Sequence, residues 1–165
     1  MRSLQSLAPL QLGRRSTDAM DNSGLHGTWQ LTSIYSTTSS GDKSYFFGSG
    51  AMGRLTYTPN GFMNVFIMKK DRPVFEGGKI DEGTPEEIRA AFQSFDAYCG
   101  RYSIDQTNKT VTHHVEMARS PAWTGIDLVR YFELDGTKLS IYTPEFYSDA
   151  QGENVVVYLN WEKCT

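Results

Sequence analysis

Val111-Thr112-His113-His114-Val115-Glu116-Met117 decides how this chain folds. Apolar and polar residues alternate along it with the two-residue period of a β-strand. Val111, His113, Val115 and Met117 share one face, while Thr112, His114 and Glu116 share the other. In a barrel without outer helices the apolar face is the inner one, so His113 is expected inside and His114 and Glu116 outside. A one-residue bulge would exchange the faces, so His114 and Glu116 stay among the ligand-binding candidates. Adjacent strand histidines point apart and cannot chelate one ion, so no metal site is expected.

Working outward, the chain reads as strand after strand. Gly27 to Tyr35 alternates, with Trp29, Leu31 and Tyr35 on one face. Ser36 to Asp42 is a turn-rich loop, and Tyr45-Phe46-Phe47 is a short apolar piece. Gly53 to Thr58 and Phe62 to Met68 flank Pro59-Asn60-Gly61, a tight hairpin turn because Asn-Gly tolerates positive φ. Arg101 to Asp105 leads into Thr110 to Ala118, and Leu128 to Leu134 turns at Asp135-Gly136 into Lys138 to Thr143. Val155 to Trp161 is the last strand. One helix interrupts the series. Thr84 is its N-cap, Pro85 its first residue and Glu87 the third member of a capping box. Ile88, Ala91, Phe92 and Phe95 form an apolar stripe, and the helix is expected to run from 85 to about 97. The fold class is all-β: an up-and-down antiparallel barrel of about eight strands with one inserted helix. Eight strands enclose room for one small ligand.

Composition narrows the function. The 165 residues suit one domain with a sizeable core. A net charge of −3 leaves no basic face for nucleic acid. No apolar run approaches the roughly 18 residues of a membrane span. Residues 1–23 read as a separate tail, acid-poor at first with Arg2, Arg14 and Arg15. A disordered tail is the plain reading and an organelle transit peptide the minor one; residues 24–165 form the domain. Cys99 and Cys164 make no disulfide framework, which suggests a reducing, cytoplasmic setting. No nucleophile elbow, Walker loop, dinucleotide fingerprint or HExxH helix occurs, so no cofactor is expected.

Gly27-x-Trp29, Gly53-Arg54-Leu55-Thr56-Tyr57-Thr58, Arg72-Pro73-Val74-Phe75 and Thr84-Pro85-Glu86-Glu87 occur in that order. They are followed by Phe95 to Tyr102, His113-His114-Val115-Glu116, Pro121-Ala122-Trp123-Thr124-Gly125 and Arg130 to Gly136. Together, over Leu25 to Glu162, these pieces resemble the lipocalin-like domain family of bacteria and fungi. The resemblance implies a calycin-type barrel around a small-molecule cavity. Some barrels of similar build act as cyclases or isomerases in natural-product pathways, which is an analogy of fold only. The family tends to end in Trp-x-Arg, whereas here it is Trp161-Glu162-Lys163. Lys163 can cover an indole face without the planar stacking of arginine.

The ligand-binding candidates are Tyr57, Tyr98, Tyr102, His113, His114, Glu116, Trp123, Arg130 and Tyr158. Arg130 shares a face with Leu128, Phe132 and Leu134. It either pairs with an acid such as Asp96, Glu116 or Glu133 or anchors a ligand anion. Asp96 is read as a solvated helix end or a partner of Arg101, and Arg72 as a solvated loop residue. Trp29 is read as the barrel floor and Trp123 as a roof. Three functions remain. The leading one is a barrel that binds a small, largely apolar molecule, aromatic or polyketide-like. The second is a cofactor-free isomerase, cyclase or dehydratase of secondary metabolism, in which His113 moves a proton and Arg130 stabilises an enolate. The third is a side-chain-filled interaction barrel. A homodimer is a further expectation.

Overall fold

The computed structural model describes residues 24–80 and 82–165; the tail of residues 1–23 lies outside the described residues. In chain order the elements are β1 (Gly27–Thr38), β2 (Lys43–Ser44), β3 (Met52–Tyr57), β4 (Phe62–Met68) and α1 (Pro85–Gln93). β5 (Phe95–Asp105), β6 (Thr110–Ala118), β7 (Asp127–Asp135), β8 (Lys138–Tyr142), β9 (Phe146–Ser148) and β10 (Glu153–Lys163) follow. Strand order is β2-β1-β3-β4-β5-β6-β7-β8-β10-β9, and β1 also pairs antiparallel with β10. That last pairing closes an eight-stranded antiparallel barrel and removes its edges. The short β2 and β9 are flaps on β1 and β10.

Turn chemistry explains the hairpins. Gly61 takes φ +84 after Asn60, joining β3 to β4. Between β5 and β6, the Asp105 carboxylate accepts from the backbone N–H of Thr107 and Asn108 and from Asn108 Nδ2. Those donors hold its pKa below the ordinary value, the Asn108 backbone contributing most. At α1 the capping box forms as read: Glu87 N–H donates to Thr84 Oγ1, and Thr84 N–H donates to Glu87.

The helix departs from expectation in its extent and its burial. It stops at Gln93, and Phe95 begins β5. Ile88 and Phe92 are each 49% exposed, so the expected stripe is not a core face. Two arginines hold the helix end instead. Arg72 donates to Ala91 O and Ser94 Oγ, and Arg119 donates to Phe92 O. Cations on the last carbonyls suit the negative end of a helix. Arg72 is therefore a bonded cap residue, not a solvated loop residue. Asp96 lies within β5 and pairs with Arg119 at 3.2 Å, while Arg101 pairs with Glu116.

Two bulges set which residues face inward. In β1 the register with β10 shifts between Leu31 and Ser33. Trp29 and Leu31 are buried before it, and Ile34 and Ser36 after it. The shift moves Tyr35, expected beside Leu31, to the outer wall. There it starts a ladder of stacked rings across four strands: Tyr35 on Tyr158 at 5.5 Å, Tyr158 on Tyr142 at 5.3 Å, and Tyr142 on Tyr131 at 5.3 Å. Cross-strand aromatic pairs of this kind support a sheet from outside. In β6, Gly100 of β5 faces Val115 and Cys99 faces Met117, leaving Glu116 as the extra residue. A Cβ on Gly100 would lie 2.0 Å from the His114 carbonyl oxygen, so only glycine fits opposite this bulge. The bulge falls after Val115. His113 thus keeps its inner position, whereas Met117, expected inside, is 64% exposed.

The core fills one end of the barrel. Trp29, Leu25, Leu55, Val111, Leu139 and Trp161 are almost fully buried there. Trp29 Nε1 donates to Leu25 O at 2.9 Å, and Lys163 Nζ lies 5.1 Å from the centre of its ring. The opposite end carries the longer connections and stays open. No helix among the described residues is long and apolar enough to cross a membrane.

Candidate functional site

The open end leads into a cavity of about 620 Å³. Its floor and walls come from inward strand positions: Ile34 of β1, Ile67 of β4, Tyr98 of β5, Leu128 and Arg130 of β7, and Val157 and Leu159 of β10. Its rim is made by Phe46, Phe47, Trp123, Pro144 and Glu145 from the connections and by Phe146 at the start of β9. Trp123 sits in a one-turn 3-10 helix, Pro121–Trp123, with its ring edge-on to Tyr98 at 5.6 Å between centres. An apolar chamber with a few polar groups is the usual makeup of a small-molecule site. A second hollow of about 680 Å³ opens on the outside near the β1 bulge. Its lining mixes charged residues such as Glu133, Asp135, Lys138 and Glu162 with Leu134, Leu139 and Trp161.

Beneath the cavity lies a buried polar cluster. His113 is 2% exposed. The Tyr57 hydroxyl lies 2.6 Å from its Nε2, and the Tyr98 hydroxyl lies 2.9 Å from its Nδ1. Both ring nitrogens are thereby engaged. Burial, with Arg130 and then His114 adding repulsion, pushes the His113 pKa down to about 3. The imidazole is therefore neutral at physiological pH. Burial raises the Tyr98 hydroxyl to about 12, opposed by Arg130 and assisted by Asp96. Burial also raises Tyr57 well above the ordinary value, with Tyr98 adding to it and Arg130 opposing.

Arg130 projects into the cavity from β7 and donates Nη1 to Val129 O at 2.8 Å. None of the acids expected to pair with it does so. Asp96 is taken by Arg119, Glu116 by Arg101, and Glu133 interacts with Tyr142. Among the described residues no carboxylate forms an ion pair with Arg130. Its guanidinium is left facing the chamber.

The sequence candidates thus divide. Tyr57, Tyr98, His113, Trp123 and Arg130 gather at or beneath the cavity. His114 and Glu116 do not: they sit on the outer wall, His114 ahead of the bulge and Glu116 as its extra residue. His114 Nδ1 donates to Asp127 at 2.7 Å, and its Nε2 lies 2.9 Å from Ser103 Oγ. Tyr102 donates its hydroxyl to Thr58 O and packs edge-on against Tyr57, outside the cavity lining. Tyr158 belongs to the outer ladder, since Val157 and Leu159 take the inner positions of β10. The rim aromatics Phe46, Phe47 and Phe146 were not foreseen as site residues. Their signal was an apolar run within turn-rich sequence, Tyr45-Phe46-Phe47. Among the described residues no group of three or more His, Cys, Asp or Glu is placed to hold a metal ion.

The architecture is thus a closed eight-stranded antiparallel β-barrel with an apolar chamber at its open end. The chain belongs to the lipocalin-like domain family, whose model matches residues 26–164. It is similar to the 4'-hydroxy-3'-methoxypropiophenone carrier protein ppsC of Aspergillus oryzae. The two are 28% identical over 109 residues, which is 61% of this chain and 96% of the relative. Among solved structures, an uncharacterised protein of Bacteroides eggerthii superposes with a TM-score of 0.42 at 11% identity, covering 85% of this chain and 99% of that one. A redesigned β-barrel superposes at 0.38 with 14% identity, covering 86% and 92%.

Proposed function

We propose that this protein is a binding protein, or carrier, for a small aromatic molecule held in the barrel. The carrying observation is the 620 Å³ chamber with aromatic rim and aliphatic walls, into which Tyr98 and Arg130 bring polar groups, while the carboxylates that also line it, Asp96, Asp127 and Glu145, are engaged by Arg119, His114 and Asn154. Its volume lies within the roughly 300–1,000 Å³ of typical ligand sites. The relative from Aspergillus oryzae, named as the carrier of a hydroxylated, methoxylated aryl ketone, supports the same class of guest. The enzymatic alternative, an isomerase or cyclase working through His113, has less support. Such a mechanism needs the imidazole within reach of substrate, but both its nitrogens are occupied and Tyr98, not His113, lines the chamber.

The test is a fluorescence titration with 4'-hydroxy-3'-methoxypropiophenone. Saturable one-to-one quenching, lost in Trp123→Phe with binding itself retained by calorimetry, is the expected result. Absence of saturable binding up to the solubility limit of this ketone and of simpler aryl ketones would remove the carrier reading.

A further inference from the structure

The buried cluster has a direction. A neutral imidazole has one N–H and one lone pair, so one tyrosine donates to the ring and the other accepts from it. Tyr57 is 1% exposed and its hydroxyl has His113 Nε2 as its hydrogen-bond partner. If Nε2–H donated to Tyr57, the Tyr57 proton would be buried with no acceptor, at a cost of roughly 1–3 kcal/mol. Donation must therefore run from Tyr57 O–H to Nε2. The His113 proton then sits on Nδ1 and donates to the Tyr98 oxygen. Tyr98 in turn has its own proton left over, and Tyr98 lines the chamber beside Arg130.

We infer that the Tyr57–His113–Tyr98 chain fixes Tyr98 as a hydrogen-bond donor into the chamber, where with Arg130 it selects guests bearing an oxygen acceptor conjugated to an aromatic ring. The acceptor is a ketone oxygen or a phenolate oxygen: Arg130 can only donate, the Tyr98 oxygen already accepts from His113, and the lining carboxylates Asp96, Asp127 and Glu145 are engaged by Arg119, His114 and Asn154. This rests on the chamber being the ligand site. The chain of hydrogen bonds itself is independent of that reading. Tyr57 and His113 are positioning residues that touch no guest, and Tyr98 and Arg130 make the contacts. The neutrality of His113, kept by its low pKa, preserves the direction across the physiological range.

Two measurements test it. The first is the tautomer of His113, read from its ring 15N shifts in the full chain. A proton on Nδ1 is expected, with the pattern becoming mixed in Tyr57→Phe. A proton on Nε2 in the unaltered protein overturns the inference. The second is binding of three probes of similar size: propiophenone, 4-propylphenol and propylbenzene. Propiophenone, or 4-propylphenol above the pKa of the phenol, should bind about tenfold tighter than propylbenzene, the scale of one good hydrogen bond. Which of the two gains identifies the source of the oxygen. Tyr98→Phe should abolish that preference, lowering propiophenone affinity about tenfold more than propylbenzene affinity. Tyr57→Phe should reduce the same preference although it never meets the probe, and a general loss of packing would lower all three affinities together. Equal binding of all three probes, or an unchanged preference in Tyr98→Phe, overturns the inference while leaving the carrier reading intact. Failure of every probe to bind removes both.

Discussion

The barrel wall carries tyrosines on both faces, and the two groups do different work. Inside, Tyr57 and Tyr98 meet His113 through their hydroxyls at 2.6 and 2.9 Å. Outside, Tyr35, Tyr158, Tyr142 and Tyr131 meet each other through their ring faces, 5.3 to 5.5 Å apart. The Tyr57 hydroxyl is buried with no water to turn to, and the Tyr98 oxygen lies against the other nitrogen of the same ring, so the direction of each proton matters. The outer hydroxyls can reach solvent, so their contribution is the area and quadrupole of the rings. One residue type thus serves as a polar switchboard on one face and as cladding on the other, and the surroundings alone decide which.

The largest difference should appear on truncation. Trp29→Ala in the inner floor is expected to cost roughly 3–5 kcal/mol, as large aromatic truncations in a core do. Tyr142→Ala in the outer ladder should cost about 1 kcal/mol, the scale of a cross-strand aromatic pair. Urea melts of the two variants check this, and similar losses would break the contrast between the walls.

Acid should come next. The His113 pKa is lowered from 6.5 to about 3 in the folded protein, so below pH 6.5 the unfolded chain takes up a proton that the folded chain refuses. The stability it contributes is complete above pH 6.5 and is lost progressively as pH falls toward 3. The loss approaches about 1.4 kcal/mol per pH unit, or roughly 2–3 kcal/mol between pH 6.5 and 4.5. His113→Gln should flatten the pH dependence of stability over that window by the same amount. A slope equal to that of the unaltered protein would mean the imidazole is not kept neutral by the inner wall.

Removing a single hydroxyl sharpens the comparison further. Tyr57→Phe strands a nitrogen of His113 and should cost about 1–3 kcal/mol. Tyr142→Phe should stay within roughly 0.5 kcal/mol, as ordinary surface substitutions do. The smallest expected effect is on the outer histidine: His114→Ala should leave guest affinity within about twofold, because its partners Ser103 and Asp127 lie on the outer face. A loss comparable to that of Tyr98→Phe would place His114 in the binding path.

Much of this arrangement was legible in the chain. Asn60-Gly61 fixed a hairpin, Thr84 and Glu87 fixed a helix start, and alternation through Val111, His113 and Val115 placed the imidazole inside. These signals are local, and local geometry enforces them. What escaped the sequence depends on contacts far along the chain. The bulge at Glu116 needs Gly100 across the sheet, and no pattern within β6 marks it, so Met117 was assigned to the wrong face. The bulge near Thr32 reversed the parity of Tyr35 in the same way. Tyr158 is a different case. Its strand was readable, and counting by twos from Trp161 through Leu159 to Val157 sets it outside. The apolar stripe on α1 was real as a pattern, but the helix ends at Gln93 and leaves Ile88 and Phe92 half-exposed instead of entering the core. Arg130 was placed on the correct strand face, while the absence of an ion-paired carboxylate among the described residues emerged only once Arg119 and Arg101 were seen to occupy Asp96 and Glu116.

The seam between β1 and β10 has a consequence for how the molecule is made. The first strand bonds to β3 within a few tens of residues, but its other flank is covered only by Glu153–Lys163. During synthesis that flank must wait, bare, while the six barrel strands β3 to β8 emerge and line up behind it. Contacts of such sequence separation close late and slowly, and an uncovered flank is what a neighbouring nascent chain would join. The barrel is therefore finished by its last strand, and a ribosome that stalls before residue 153 releases a sheet with a sticky margin rather than a smaller barrel.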